Sequence, residues 1–335
     1  MTEINSSPII LRLTAIWAFT ECALGGAMHA LHIPFTGIVA GGFAVLIIGL
    51  LAYFSDNDMK VMIGSTILVM IVKLTVSPQA PPPAYLAVAF QGFTGALIFR
   101  LIPSFSISAF IFAILAMAES ALQKLLLVWV FFGKSLFEAM DAFYVEVLKI
   151  FSLQPTITGS TWVIGGYLLL YLTWGLMLGI WIPRLPKQLT SRAGKYDHLL
   201  QPLSNSTLEI EDVRRKKNRI FLFTLLFITL VFLYTGKNAE GSKKLMYIFL
   251  RTISAVFIWV TVAVPVFSWL LEKFLKNSRS NNALQLKSIM NLLPEFSARA
   301  IPLYLEVGKN YKGWKRIREW MIGLIVIGIN IPGNE

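Results

Sequence analysis

Few ionisable side chains interrupt the apolar stretches of this chain, and those few are the ones placed to do chemistry. Glu21, His29 and His32 stand inside one apolar run of roughly residues 9–35. On a helix, Thr14, Trp17, Glu21, Gly25, Met28 and His32 fall on one stripe, with His29 beside its end. Lys73, Gln91, Glu119, Gln123 and Lys124 interrupt later runs. A charge at bilayer mid-depth costs at least ~2.5–3.5 kcal/mol, so it must face protein, a counter-charge or a wet cavity. Two arrangements satisfy that demand. In one, Trp17, Glu21, His29, His32, Gln91 and Glu119 line a pocket for a small solute. In the other, Glu119 pairs with Lys73 and Glu21 binds His29 or a backbone group, simply to hold helices together.

Other chemistries are less well served. His29 and His32, at i and i+3, share a helix face, and imidazole suits nickel, cobalt or zinc. Yet Glu21 lies two turns away and Cys22 on another stripe, so no metal site is assigned. Trp17, Tyr85 and Trp162 could stack a planar ring, but aromatic residues also build belts and cores in membrane proteins. The chain holds no GxxxxGK[ST], HExxH or GxSxG pattern, which leaves no signature of an enzyme or of a resident cofactor. Energy for transport must then come from an ion gradient or another subunit. The single cysteine, Cys22, excludes a disulfide framework.

The elements that position these residues are apolar helices. The 335 residues are 56% hydrophobic and 14% charged, well below the charge of a soluble domain. About 20 residues at ~1.5 Å each cross a bilayer. Candidate spans are 10–32, 36–53, 61–76, 85–100, 107–132, 161–182, 219–236 and 246–271. The first lacks a basic flank and a small-residue cleavage pattern, so it is read as a span and not as a leader. The fold class is an all-α polytopic membrane protein: a six-span N-terminal bundle and a two-span unit with cytoplasmic amphipathic helices. The expected divisions are 1–182, a solute-binding membrane domain; 183–218, a basic linker; and 219–335, the two-span unit.

Charge sets the orientation. Residues 1–182 hold 7 Lys+Arg against 8 Asp+Glu, whereas 183–335 hold 23 against 10. This excess is read as the positive-inside signal, not as a nucleic-acid surface. The basic stretches 183–219 and 272–319 are therefore cytoplasmic, and counting back places the N-terminus in the cytoplasm of a multi-pass cell-membrane protein. Glu21, Gln91 and Glu119 then fall near mid-depth, with His29, His32, Lys73 and Lys124 in the outer half. The external segment 136–151 reads as an amphipathic helix with Leu136, Met140, Phe143, Val147 and Phe151 on one face. It either lies on the membrane or covers an outward mouth.

Residues 283–320 continue helical in pattern, with Lys309, Tyr311, Lys312, Trp314, Lys315, Arg316, Arg318 and Trp320 alternating base and ring. Such a helix either grips anionic lipid or docks a cytoplasmic partner. The apolar end 320–331 is too short to cross by itself.

A stripe of small residues on the first helix (Ala18, Cys22, Gly26, Ala30), the corner His32 to Gly37 and the stretch Pro81 to Gly92 together resemble the substrate-binding S component of energy-coupling-factor transporters. The resemblance covers about residues 9–182. It implies a six-span unit whose first helix meets a transmembrane T component and whose loops one and three close over a vitamin-like or metal solute. The C-terminal half is loosely similar to the T component, in which coupling helices with an Ala-Arg-small motif dock paired ATPases. Ala298-Arg299-Ala300 matches that motif, which implies partner docking through Arg299, Lys312, Lys315 and Arg316. The expected function is solute uptake energised by separate ATPase subunits. The alternatives are a proton-coupled carrier using Glu21 or Glu119, and a lipid-modifying membrane enzyme using Glu21 and His29 as acid and base.

Overall fold

The structure is a computed structural model. It describes residues 8–24, 37–77, 80, 82–152, 154, 157–192, 194–200 and 281–330. The expected spans 219–236 and 246–271, the linker residues beyond 200, and His29 and His32 lie outside the described residues. Among the described residues there is no strand; the architecture is helical throughout.

Helix α1 runs from Pro8 to Phe19 and widens into a π-helical turn, Thr20–Leu24. A second π turn, Gly37–Gly41, leads into α2, Gly42–Phe54. The series continues with α3 (Met59–Val76), α4 (Pro82–Leu101), α5 (Phe105–Ile150), α6 (Gly159–Trp181) and the short α7 (Leu185–Thr190). Helices α8 (Asn281–Asn310) and α9 (Gly313–Asn330) complete the described fold. Among the described residues, five helical stretches are long and apolar enough to cross a membrane: 37–54, 59–76, 83–101, 105–130 and 159–190. They coincide with expected spans two to six.

The centre of this unit is α2, in which every residue from Gly42 to Ala52 is buried. A helix that is apolar all round has no face for water. Among lipid tails equally apolar, it is held by close packing. Its glycines permit that packing: a Cβ at Gly42 would stand 2.6 Å from Trp174 Nε1, and one at Gly49 2.5 Å from Ile182 Cγ2.

Short, locally determined turns set the antiparallel order. Asp56 and Asn57 take positive φ (51° and 59°), a conformation that Asp and Asn tolerate better than most residues. Asp58 then caps α3 by accepting from Lys60 N at 2.8 Å. Between α3 and α4 the Tyr85 hydroxyl donates to Ser77 O at 2.9 Å and closes the proline-rich corner.

The expected external helix 136–151 is the far end of α5. Gly133, at φ 62° and ψ −152°, breaks the helix there and redirects the chain. The returning segment meets the start of α6, where Asp141 Oδ1 accepts from Ser160 N at 2.7 Å and serves as the missing cap. Its expected apolar face is only partly covered: Leu136, Met140 and Val147 are half-buried, while Phe143 is 73% and Phe151 68% exposed.

Helices α8 and α9 belong to the same compact unit as residues 8–200. On α8, Leu286, Ile289, Phe296, Leu303 and Val307 form one buried stripe at three-, four- and seven-residue spacing. Pro294 and Pro302 fall on the exposed side, where the freed carbonyls can bond water. The apolar end of the chain is not a separate short piece: it continues the basic segment as α9, with residues 321–328 all buried. Against α1, Phe296 meets Phe19 with ring centroids 5.8 Å apart, and the Arg12 guanidinium donates to Ile329 O.

Candidate functional site

The two π turns touch one another, and the polar side chains of the bundle are distributed around them. A π turn takes one extra residue per hydrogen-bonded loop, which redirects the side chains that follow and is frequent at functional sites. The first turn carries Glu21 toward α3. There its Oε2 meets Lys73 Nζ at 2.6 Å, with the two side chains 9% and 5% exposed. Lys73 also donates to Ala84 O at 3.2 Å, and its ammonium lies 5.7 Å from the centre of the Tyr85 ring. One cation thus ties α1, α3 and the start of α4 together. The anticipated pairing of Glu119 with Lys73 does not form, since Lys73 takes Glu21; the other, of Glu21 with His29, falls outside the described residues.

The second turn faces α4 and α5. Gln91, buried, donates through Nε2 to Ser120 Oγ at 3.4 Å. A Cβ at Gly41 would stand 3.3 Å from Gln91 Nε2 and 3.4 Å from Ser120 Oγ. Trp174 Nε1 donates to Ile38 O at 2.9 Å and anchors the turn to α6. One helical turn along α5 from Glu119, Gln123 Nε2 donates to Pro83 O at 2.9 Å.

Glu119 is half-buried, and its Oε2 is buried with no hydrogen-bond partner among the described residues. Trp17 is also buried, and its Nε1 has no partner among the described residues. It packs in the core as a large apolar body. The other two aromatic candidates lie elsewhere: Tyr85 is at the Lys73 corner and Trp162 is exposed on α6. The three do not form one stacking platform. Among the described residues no group of three His, Cys, Asp or Glu side chains is placed to hold a metal ion.

A cavity of about 10 Å³, room for one water, lies between α1, α3 and α8, lined in part by Thr14, Ser65 and Gln285. Thr14 Oγ1 donates to Ser65 Oγ there at 3.0 Å. It belongs to the packing seam and not to the ring around the π turns.

The expected docking residues separate into two groups. Arg299 is 5% exposed and directed inward: Nε donates to Leu199 O at 3.0 Å, and Nη1 meets Glu295 Oε2 at 2.8 Å. Arg316 lies 3.8 Å over the Tyr304 ring. Lys312 and Lys315 are exposed.

Sequence reading missed the strap 192–199, which it took for linker. Arg192 reaches Glu319 at 2.8 Å, Lys195 reaches the same carboxylate at 3.8 Å, and His198 meets Glu306 at 2.9 Å. These partners lie more than a hundred residues apart in sequence, beyond any local spacing rule.

The fold and the polar side chains define a class: the described residues are helical, with five helices long and apolar enough to cross a bilayer and buried polar side chains beside two π turns. Comparison with known proteins finds no matching family model, no matching characterised protein and no matching solved structure.

Proposed function

We propose that this chain is a membrane transport protein that takes up a small solute, as a substrate-binding component of the energy-coupling-factor type energised by separate ATPase subunits. The observation that carries the reading is the meeting of the two π turns. Interrupted helices at membrane depth are tolerated where they line a cavity or bind a solute. Here Gln91 and Ser120 stand beside one turn, with Glu119 next to Ser120 in the chain, and the Glu21–Lys73 pair belongs to the other. The pair braces α1 against α3, and the solute contacts fall to Gln91, Ser120 and Glu119.

A second observation supports the same reading. Helix α1 packs more extensively on α8 than on any other described helix. The resemblance implies contact between the first helix and the coupling part, and the Phe19–Phe296 ring contact of α1 with α8 supports that assignment. The exposed Lys312 and Lys315 are the side chains left to meet an acidic cytoplasmic partner.

Glu119, without a partner among the described residues, favours an ion-coupled carrier as the second reading, because such carriers need an exchangeable intramembrane carboxylate. For the lipid-enzyme reading, Glu21 is engaged by Lys73 and its expected partner His29 lies outside the described residues.

The test is to purify the full chain, identify by mass spectrometry the small molecule it retains, and measure uptake of that molecule into cells. ATPase-type uptake persists with an uncoupler and requires a co-purifying nucleotide-binding chain. Uptake that collapses with the uncoupler selects the carrier. The absence of both a retained small molecule and uptake sinks the transport reading.

A further inference from the structure

We infer that Glu119 is the recognition point for a protonated nitrogen on the solute, an inference that rests on the uptake reading above. Charge bookkeeping around the π turns leads there. Glu21 and Lys73 cancel one another at 2.6 Å, and Gln91, Ser120 and Gln123 are neutral. Glu119 is left as the one charge of this group without a counter-ion among the described residues. Lys124, the next ionisable group on α5, is exposed and lies about 140° further round the helix at ~100° per residue.

Placement supports a ligand role over a chance surface carboxylate. Phe112, Ser120 and Gln123 face α4: a Cβ at Gly95 would stand 3.1 Å from Phe112, Ser120 meets Gln91 and Gln123 bonds Pro83 O, and Glu119 borders that stripe one turn before Gln123. That antiparallel register sets Glu119 at the level of the turn Ala87 to Gln91, where Ala87 is small and Gln91 bonds Ser120. An ionised carboxylate accepts hydrogen bonds and donates none. It binds an ammonium, amidinium or guanidinium group through short charge-assisted bonds and repels a carboxylate or phosphate. The solute class is therefore a cationic amine or amidine small enough to pass between α4 and α5, not an organic anion.

Dicyclohexylcarbodiimide tests this on the full chain in detergent. A carboxylic acid passes its proton to one carbodiimide nitrogen, and its oxygen bonds the central carbon. Acyl shift to nitrogen then leaves the whole reagent attached. Peptide mass spectrometry should find Glu119 modified at least about tenfold faster than Glu21, whose oxygen is held by Lys73. Benzamidine, agmatine or choline should slow the labelling of Glu119, and benzoate and succinate should not. Glu119→Asp should keep both labelling and protection. Labelling of Glu21 in preference to Glu119 overturns the inference. So does equal protection by the anions. Protection by none of the three cations overturns it too and leaves the proton itself as the occupant. If labelling and protection occur as expected while cells take up no solute, the uptake reading fails and the cation site stands.

Discussion

Lys73 and Glu21, 52 residues apart in sequence, meet at 2.6 Å where a π turn of α1 faces the last turn of α3, both almost wholly shielded from solvent. Two desolvated charges gain stability only when well paired, and breaking one partner of such a pair costs about 3–5 kcal/mol. Lys73→Met should therefore lower the thermal midpoint in detergent sharply, and Glu21→Gln should do the same. The double variant Glu21→Leu/Lys73→Met should recover most of the loss, because it strands neither charge. Additive losses in that cycle refute the bracing role. Loss of solute binding in Glu21→Gln alone is then a folding effect, not proof of contact.

Gly41 sits where added volume reports on the second polar cluster. Gly41→Ala places a methyl 3.3 Å from Gln91 Nε2 and Met117 Cε, closer than ordinary packing. The helix gains propensity by roughly 1 kcal/mol, so the fold should survive. Affinity for the retained solute should fall up to about tenfold, the value of one displaced hydrogen bond. Unchanged affinity by equilibrium dialysis removes Gln91 and Ser120 from the site.

Arg299 and the exposed lysines of the C-terminal helices should behave oppositely. Arg299→Glu removes the bond to Leu199 O and sets a second carboxylate beside Glu295. It should destabilise the unit by roughly 2–5 kcal/mol, visible in thermal unfolding. Lys312→Glu with Lys315→Glu should stay within about 0.5 kcal/mol of the parent and weaken capture of an ATPase partner. A pull-down indifferent to the double lysine change refutes that docking surface.

Glu319 holds the strap. Its carboxylate is 7% exposed and receives Arg192 at 2.8 Å, with Lys195 and Arg318 nearby. Glu319→Gln should cost roughly 1.5–3 kcal/mol, the value of hydrogen bonds to a charged group. It should also open the basic bonds after Lys187, Arg192 and Lys195 to trypsin. A cleavage rate equal to the parent's refutes the strap as a fastened element.

Much of this protein is legible without coordinates. Apolar length at ~1.5 Å per residue is a one-dimensional property, so spans two to six fall where composition puts them. Local spacing also places Glu21, Gln91 and Glu119 within apolar helices and makes 283–320 helical. Which polar group pairs with which was decided only in three dimensions. The helical stripe offered Glu21 several partners, but the π turn rotates it toward α3, and the reach of Lys73 completes the pair. The same holds for Arg299, whose basic, exposed-looking neighbourhood in sequence conceals an inward bond to a carbonyl one hundred residues earlier. Spacing rules describe one helix at a time. A buried charge answers to whichever helix packs beside it, and that choice belongs to the tertiary structure.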